Sequence, residues 1–288
     1  MADQYPEYAF AKRILGRLGI YDPAKTGSMS SKNVFLRRVF RFFGLYPNMR
    51  MKPFYYEGAN SFMAPKVYEY FQMLDGVRLD PTDVVLDVGC GEGTLTLAIG
   101  KSVNRIVGVD LAEDSIANAT AKAAEVPRIN AEFHCQSLET LGFPPASFDK
   151  VFSFSVIEHI PNYHEVFEEI HQLLRDDGEL IISVDSFHGF DPAMRAVHEA
   201  AFDVQKYFEK DELRELLERI GFRDVQVDPI FKSEFSERWF IRVMKNPKEY
   251  FGLFKRFYAF FLYYVIVWHE RRVTQNDHGI FLIAKCRK

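Results

Sequence analysis

Short apolar runs alternate with amphipathic segments through the middle of the chain. The first run begins at Val84, carries a single polar residue at Asp87, and gives way to a glycine-rich turn followed by apolar residues at helical spacing. The same pattern recurs further along the chain, and predicts strands over 105–110, 131–135, 148–154 and 179–185. Strands that alternate with helices in this way predict a doubly wound, mostly parallel α/β sheet.

The segments between these strands predict helices. Proline suits a first helical turn, so Ala64-Pro65 begins one that runs to about Leu74. Further helices are predicted from Thr94, over 113–124 and over 163–174. Another is capped by Asp211, ends at Ile220 and is closed by Gly221, because an acid suits the start of a helix and glycine its end.

Two more strands, 222–228 and 280–286, lie on either side of an aromatic-rich insertion, 231–277. The centre of the insertion, 257–268, is apolar and flanked by basic residues, but it is shorter than the roughly 20 residues that a membrane-spanning helix needs. We therefore expect a buried or interfacial helix, either a lid over an apolar acceptor pocket or core packing. Contact with a membrane surface is the alternative.

The N-terminal part has a basic amphipathic character. Residues 33–45 place Leu36, Val39, Phe40 and Phe43 on one helical face and arginines away from it. This helix is expected either to cap the mouth of a site or to lie on a membrane. The predicted domains are then a helical cap over 1–61, a core over 62–230, the insertion over 231–277, and the last strand over 278–288.

Composition and charge narrow the class of protein. The 288 residues carry a net charge of −4, and the two basic ends, 11–52 and 232–288, enclose an acidic body. An acidic body disfavours a nucleic-acid partner. The 28 phenylalanines and 14 tyrosines indicate a large apolar pocket or interface, and three scattered cysteines favour a reducing cytoplasm. The first residues have neither the basic run nor the apolar core of a signal peptide.

The candidate chemistry lies at the turn after the first strand. Glycines at 89, 91 and 93 follow Asp87, and Asp110 ends the next strand. Glycine lets the backbone turn tightly and approach a ligand, and an acid at the tip of the second strand can accept hydrogen bonds from ribose hydroxyls. A dinucleotide fingerprint would need glycine at position 94, where Thr94 stands. These residues describe a nucleoside site.

This Asp-x-Gly-x-Gly-x-Gly motif with its downstream acid resembles the class I S-adenosylmethionine-dependent methyltransferases. The resemblance covers about 62–228 and 278–288, and implies a seven-stranded Rossmann-like sheet with S-adenosyl-L-methionine as cofactor. It implies that the glycine loop lies near the methionine part, that Asp110 holds the ribose and that Leu111 faces the adenine. Ser137 stands where many relatives carry an acid for the adenine amino group. The cofactor-binding residues it implies are Asp87, Gly89, Cys90, Gly91, Gly93, Asp110, Leu111, Gln136, Ser137, Leu138, Phe154 and Ser155.

The segment after the fourth strand carries the candidate catalytic pair, Glu158 and His159. A histidine there is a candidate general base because its ordinary pKa of about 6.5 lets it accept a proton near neutral pH. The alternative is that His159 only holds the loop. Quinone-pathway O-methyltransferases have a similar Glu-His pair but carry another acid three residues before the glutamate and use the set for a metal. Ser155 occupies that position here, so we expect no metal. Further candidates for the acceptor side are Tyr56, His188, His198 and Tyr207.

The sequence thus predicts a methyltransferase that acts on a small-molecule, lipid or glycan acceptor. The atom expected to receive the methyl group is oxygen. It is expected in the cytoplasm, with peripheral membrane contact as an open alternative. A rival interpretation is a donor-binding regulatory or scaffold protein without transferase activity, whose aromatic insertion binds a partner.

Overall fold

The computed structural model describes residues 64–126, 129–187, 190–245, 265–273 and 277–288. Their centre is a seven-stranded sheet with the order β3-β2-β1-β4-β5-β7-β6. Strands β1 to β5 pair in parallel, and β7 runs antiparallel to both β5 and β6. The strands are β1 Val84–Val88, β2 Arg105–Asp110, β3 Ala131–Cys135, β4 Phe148–Phe154, β5 Leu174–Asp185, β6 Arg223–Ile230 and β7 Phe281–Arg287. The mostly parallel, doubly wound sheet predicted from the sequence is confirmed.

Helices connect the strands and cover both faces of the sheet. In chain order they are α1 Ala64–Leu74, α2 Thr94–Gly100, α3 Glu113–Ala124, α4 Tyr163–Leu173, α5 Pro192–Phe202, α6 Lys210–Ile220 and α7 Glu234–Lys245. Residues 265–270 are also helical. Helix α7 and this last segment belong to the insertion between β6 and β7, whose predicted apolar centre lies largely outside the described residues.

Two apolar layers hold the sheet between them. Neighbouring residues of β1 point to opposite faces, so Val85 packs into one layer and Leu86 into the other. The layer around Val85 contains α1 and a group of aromatic rings that includes Phe187, Phe240 and Phe281. Burial on both faces explains why the strands read as nearly continuous apolar runs.

Two predicted element starts differ from the structure by two residues or more. Helix α6 has Glu209 rather than Asp211 at its N-cap, and the Asp211 carboxylate accepts a 2.9 Å hydrogen bond from Arg214 within the first turn. The fifth strand begins at Leu174, which pairs with Phe148, whereas the prediction began it at residue 179. Between Leu174 and Glu179 the pairing with β4 shifts register, and Asp177 there has a left-handed φ of 60°.

The described residues include no helix long and apolar enough to cross a bilayer. The predicted amphipathic helix over 33–45 and the predicted cap over 1–61 lie outside the described residues, as do the candidates Tyr56 and His188.

Candidate functional site

The glycine loop lies at the carboxyl end of β1, where each glycine has a left-handed backbone. The φ angles are 73° at Gly89, 50° at Gly91 and 74° at Gly93. A Cβ at Gly89 would stand 2.3 Å from the Val156 side chain, and one at Gly93 would stand 2.9 Å from Ala119. At Gly91 the same position has no atom within 4 Å. The first and third glycines therefore serve packing, while the middle one faces open space.

Asp110 connects the end of β2 to this loop. Its Oδ2 accepts a 2.8 Å hydrogen bond from the Gly91 N–H, and its Oδ1 accepts one of 2.9 Å from Ala112. A carboxylate offers about four lone-pair sites, so the half-buried Asp110 retains capacity for further donors. The neighbouring Leu111 side chain is 75% exposed, which leaves an apolar surface beside the carboxylate.

Asp87 lies beneath the loop rather than in it. It is buried, and its Oδ2 accepts a 2.6 Å hydrogen bond from the Thr96 hydroxyl at the start of α2. Burial raises the pKa of Asp87 to about 7, opposed by the Thr96 hydrogen bond and assisted by the charge of Asp110. Burial, with the nearby carboxylates of Asp87 and Asp110, also raises the pKa of the Cys90 thiol. Cys90 therefore stays a neutral thiol and packs the loop.

The segment after β3 lies at the same edge of the sheet. Gln136 is exposed, Ser137 is half-buried and Leu138 is buried. Ser137 is the N-cap of the short helical turn Leu138–Thr140, and its hydroxyl lies 3.1 Å from that of Thr140. The polar side-chain groups of this segment at the sheet edge are thus the Ser137 hydroxyl and the exposed Gln136 amide.

The end of β4 meets a helix whose role the sequence did not predict. Ser155 has a left-handed φ of 50°, and its hydroxyl donates a 2.7 Å hydrogen bond to Oε1 of the buried Glu69 on α1. Glu69 stands among Tyr68, Tyr70 and Phe71, and a lone acid in an aromatic run is the one signal that could have identified it. Phe154 is partly buried at the strand end.

Glu158 and His159 follow in a short helical turn, Ile157–His159. Glu158 is buried, and its backbone carbonyl accepts hydrogen bonds from Gln205 and Lys206. The partly exposed His159 places Nδ1 3.4 Å from the Asp203 carbonyl. Glu158 and His159 therefore lie against residues 203–206, which precede α6. No group of three metal-ligating side chains occurs within the part of the chain that the structure describes.

A second polar group lies where β5 ends. His198 on α5 lies between Asp185 and Tyr207, with Nε2 3.9 Å from Asp185 Oδ2 and Nδ1 3.1 Å from the Tyr207 hydroxyl. The sequence prediction named His198 and Tyr207 only as possible lining residues and missed Asp185. Asp185 ends β5 just as Asp110 ends β2, and that shared position was the available signal.

The carboxyl edge of β1 and β2 fits a sulfonium nucleoside. Glycine at 91 leaves the space that a Cβ would fill, and Asp110 beside it has acceptor capacity for ribose hydroxyls. The exposed Leu111 offers an apolar face for a purine ring. The positions that carry the family motif are thus brought together at one edge, as is usual for ligand sites in open α/β sheets.

Comparison with known proteins agrees with this geometry. Residues 86–182 match the family model described as a methyltransferase domain. The chain is similar to a protein named ubiquinone biosynthesis O-methyltransferase from Idiomarina loihiensis, with 37% identity over 34% of this chain and 41% of the relative. It is also similar to a protein of the same name from Coxiella burnetii, with 26% identity over 53% of this chain and 70% of the relative. The chain thus spans less than half the length of the first relative.

A solved structure shares the fold. It is that of phosphoethanolamine N-methyltransferase 2 from Haemonchus contortus in complex with S-adenosyl-L-methionine. The two superpose with a TM-score of 0.60 at 19% identity, over 91% of this chain and 62% of that one. At this level of identity the likeness concerns the architecture.

Proposed function

We propose that this chain, which carries a class I S-adenosylmethionine-dependent methyltransferase domain, transfers a methyl group to a hydroxyl of a small organic acceptor. The observation that carries the proposal is the pairing of the open Gly91 position with the Asp110 carboxylate at the ends of β1 and β2. Two relatives that carry O-methyltransferase names support oxygen as the target atom.

In the proposed complex the donor lies along the carboxyl edge of the sheet. Asp110 accepts hydrogen bonds from the ribose hydroxyls, and Leu111 contacts the adenine ring. Gln136, Ser137 and Leu138 border the adenine edge. The methionine end lies against the remaining residues that the family motif implies, which are Asp87, Gly89, Cys90, Gly91, Gly93, Phe154 and Ser155.

The chemistry requires little from the protein beyond alignment. S-adenosyl-L-methionine supplies, when bound, a methyl group that its sulfonium already makes electrophilic. The residues of this chain hold the acceptor oxygen in line with that methyl group and remove the hydroxyl proton. Alignment alone contributes roughly 7–11 kcal/mol in favourable intramolecular reactions.

The proposed acceptor is an apolar small molecule with a phenolic or similar hydroxyl. Phe202 on α5 is 51% exposed and packs beside His198, which favours an acceptor with a ring. Lipid and glycan hydroxyls are further members of the acceptor class. We place the reaction in the cytoplasm, with the basic ends of the chain as a proposed contact with anionic membrane surfaces.

The Glu158 and His159 pair is the proton acceptor that the sequence suggests. His159 is partly exposed at the carboxyl edge, just past the end of β4, which supports access to an acceptor. A kinetic test compares His159→Ala with the parent protein. A general base contributes about 100-fold or more to the rate, so a smaller loss would assign His159 to holding the loop.

The experiment that tests the function has two stages. Calorimetry with S-adenosyl-L-methionine measures donor binding without an acceptor. Release of S-adenosylhomocysteine is then measured with a panel of dihydroxyphenols, sterols and sugar lipids. Turnover with any of them supports the enzyme, whereas donor binding without turnover across the panel supports the rival regulatory or scaffold role. Flotation with anionic liposomes at low salt tests the membrane contact.

A further inference from the structure

Asp185, His198 and Tyr207 form a row of polar side chains that packing alone does not explain. The Asp185 and His198 side chains are about 6% and 10% exposed. Nδ1 of His198 lies 3.1 Å from the Tyr207 hydroxyl, and its Nε2 lies 3.9 Å from Asp185 Oδ2. Burying ionisable groups costs free energy, so such a row indicates a use. We call these three residues the β5 relay.

Aromatic rings hold the imidazole of the relay in one orientation. The His198 ring centroid lies 4.2 Å from that of Phe187 and 4.8 Å from that of Phe202. Arg195 sits over the Tyr207 ring at 5.1 Å and donates a 3.1 Å hydrogen bond to the Phe187 carbonyl. The imidazole therefore packs against two rings, with Nε2 on the side of Asp185 and Nδ1 on the side of Tyr207.

The charges around the relay decide where its protons lie. The Asp185 carboxylate favours a hydrogen on Nε2, which leaves the Nδ1 lone pair facing the Tyr207 hydroxyl. Burial, together with the charges of Glu199 and Asp185, raises the pKa of Tyr207 to about 12, while Arg195 opposes the rise. Tyr207 is therefore a neutral phenol at physiological pH. It can donate its proton to His198 and accept another on its oxygen.

The relay occupies the side of the site opposite the glycine loop. In the sheet, β4 separates β1 from β5, and Asp185 ends β5 at the same edge at which the glycine loop follows β1. The Ser155 N–H, at the end of β4, donates to the Ser183 carbonyl of β5 at 3.1 Å, and the Phe208 N–H donates to the Asp185 carbonyl at 2.9 Å. A molecule that faces a donor on β1 and β2 from across β4 would therefore meet Tyr207.

We propose that the β5 relay accepts the proton of the methyl acceptor, an inference that rests on the proposed methyl transfer. The acceptor hydroxyl gives its proton to the Tyr207 oxygen while Tyr207 passes its own proton to Nδ1 of His198. The acceptor oxygen forms its bond to the methyl carbon as the carbon–sulfur bond breaks, and that bond's electron pair stays on sulfur. His198 ends as an imidazolium beside Asp185 and loses its proton to water after product release.

In this assignment Tyr207 is the catalytic residue, and His198 and Asp185 are positioning residues that act through it. The relay thereby replaces His159, the candidate that the sequence suggests, as the acceptor of this proton, and it differs from His159 in its surroundings. Among the described residues the His159 ring makes one contact within hydrogen-bond distance, to a backbone carbonyl at 3.4 Å. His198 has a carboxylate on one side and a phenol on the other, which is the arrangement that lets a base store a proton.

The test uses the full chain and three conservative variants. Tyr207→Phe keeps the ring under Arg195 and removes only the hydroxyl. Asp185→Asn keeps the shape and removes the charge, and His164→Gln changes an exposed histidine on α4 as a matched control. Each is assayed for donor binding by calorimetry and for turnover of a dihydroxyphenol panel across pH 5 to 9. Histidine side-chain titration by nuclear magnetic resonance in the S-adenosylhomocysteine complex gives a readout independent of turnover.

The relay predicts that Tyr207→Phe lowers kcat about 100-fold with a smaller change in KM and unchanged donor binding. Asp185→Asn is expected to move both the acidic limb of the rate profile and the His198 titration to lower pH by about one unit, because an anion beside an imidazole stabilises its charged form. Among the described residues, Asp185 and Tyr207 lie nearest the His198 nitrogens, while the charges of Arg195 and Glu199 act on Tyr207, and the variant leaves the last three unchanged. His164→Gln is expected to match the parent.

Several results would overturn the relay. If Tyr207→Phe keeps the kcat of the parent, the relay is wrong. It is also wrong if Asp185→Asn leaves the acidic limb of the rate profile and the His198 titration at the same pH. Neither result would contradict the proposed methyl transfer. Donor binding without turnover of any phenol would reject both the acceptor class and the relay. A failure to bind the donor would instead reject the proposed function, and the relay with it.

Discussion

The Asp110 carboxylate accepts the N–H of Gly91 at 2.8 Å, a hydrogen bond that connects the tip of β2 to the one glycine of the loop that faces open space. The residue proposed to hold the ribose thus also shapes the backbone that approaches the donor. Substitutions at Asp110 and at Gly91 are therefore both expected to alter donor binding, the first by removing a hydrogen-bond acceptor and the second by filling open space.

Substitution at Asp110 separates its charge from its structural contact. Asp110→Ala removes both and is expected to weaken S-adenosyl-L-methionine binding about 10- to 100-fold, because a hydrogen bond to a charged group contributes about 1.5–3 kcal/mol. Asp110→Asn keeps an oxygen for the Gly91 N–H and is expected to lose less affinity. Calorimetry measures both. Binding of Asp110→Ala equal to that of the parent would reject the ribose assignment.

Gly91 and Gly93 form a matched pair for distinguishing function from packing. Alanine at Gly93 would meet Ala119 at 2.9 Å and Phe133 at 3.0 Å, so Gly93→Ala is expected to lower the free energy of unfolding by about 1–3 kcal/mol beyond any backbone strain. Gly91→Ala meets open space and is expected to incur only the left-handed strain of about 1–2 kcal/mol.

Urea unfolding measures the stability of the Gly91→Ala and Gly93→Ala variants, and calorimetry measures their affinity for the donor. Gly91→Ala is expected to lose more donor affinity than stability, since its new methyl group enters the proposed donor space. The expectation would be wrong if Gly91→Ala kept full affinity, or if Gly93→Ala were the more stable of the two variants.

Asp87 is expected to make stability depend on pH. Its pKa is raised from 3.8 to about 7 in the folded protein, so between these values the folded chain keeps a proton that the unfolded chain has lost. Stability therefore falls as pH rises through that window and levels off above about 7. A tenfold change in a proton dissociation constant corresponds to about 1.4 kcal/mol, which gives a total on the order of 4 kcal/mol.

The isosteric variant Asp87→Asn removes this titration and keeps an oxygen for the Thr96 hydroxyl. Urea unfolding at pH 5, 6, 7 and 8 is expected to show the variant gaining stability relative to the parent with each step up to pH 7. Parallel stability curves for the two proteins would show that Asp87 does not keep its proton over that range.

Glu69 and Ser155 are expected to be coupled. The Ser155 hydroxyl donates to the buried Glu69 carboxylate at 2.7 Å, which joins α1 to the end of β4. Ser155→Ala removes a hydrogen-bond donor from a buried carboxyl group and is expected to cost about 1–3 kcal/mol of stability. Combining Ser155→Ala with Glu69→Gln in a double-mutant cycle is expected to give a coupling of about 1 kcal/mol or more. Strict additivity would mean that the contact contributes little.

The features predicted well from the sequence were those that depend on neighbouring residues. The bounds of α1, α3 and β2 follow from local apolar spacing and from Pro65. The glycine turn and the place of Asp110 at the end of β2 were also predicted from this local pattern, while their part in donor binding stays a prediction. Both site predictions concern residues within one strand-helix-strand unit.

The features that were missed depend on contacts between distant segments. The N-cap of α6 falls at Glu209 because the segment before the helix is held by the Glu158 and Asp185 carbonyls, which local sequence does not reveal. Glu69 meets Ser155 only through the packing of α1 on the sheet. The early start of β5 likewise depends on Leu174 lying beside Phe148.

The position of β7 has a consequence for biosynthesis. It lies between β5 and β6, so β6 joins the sheet only through a strand that the ribosome makes after the whole insertion. A nascent chain that has emerged as far as β6 therefore carries β6 as an unpaired strand and leaves β5 as an additional exposed edge of the sheet. We expect chaperones to engage the protein at that stage of translation.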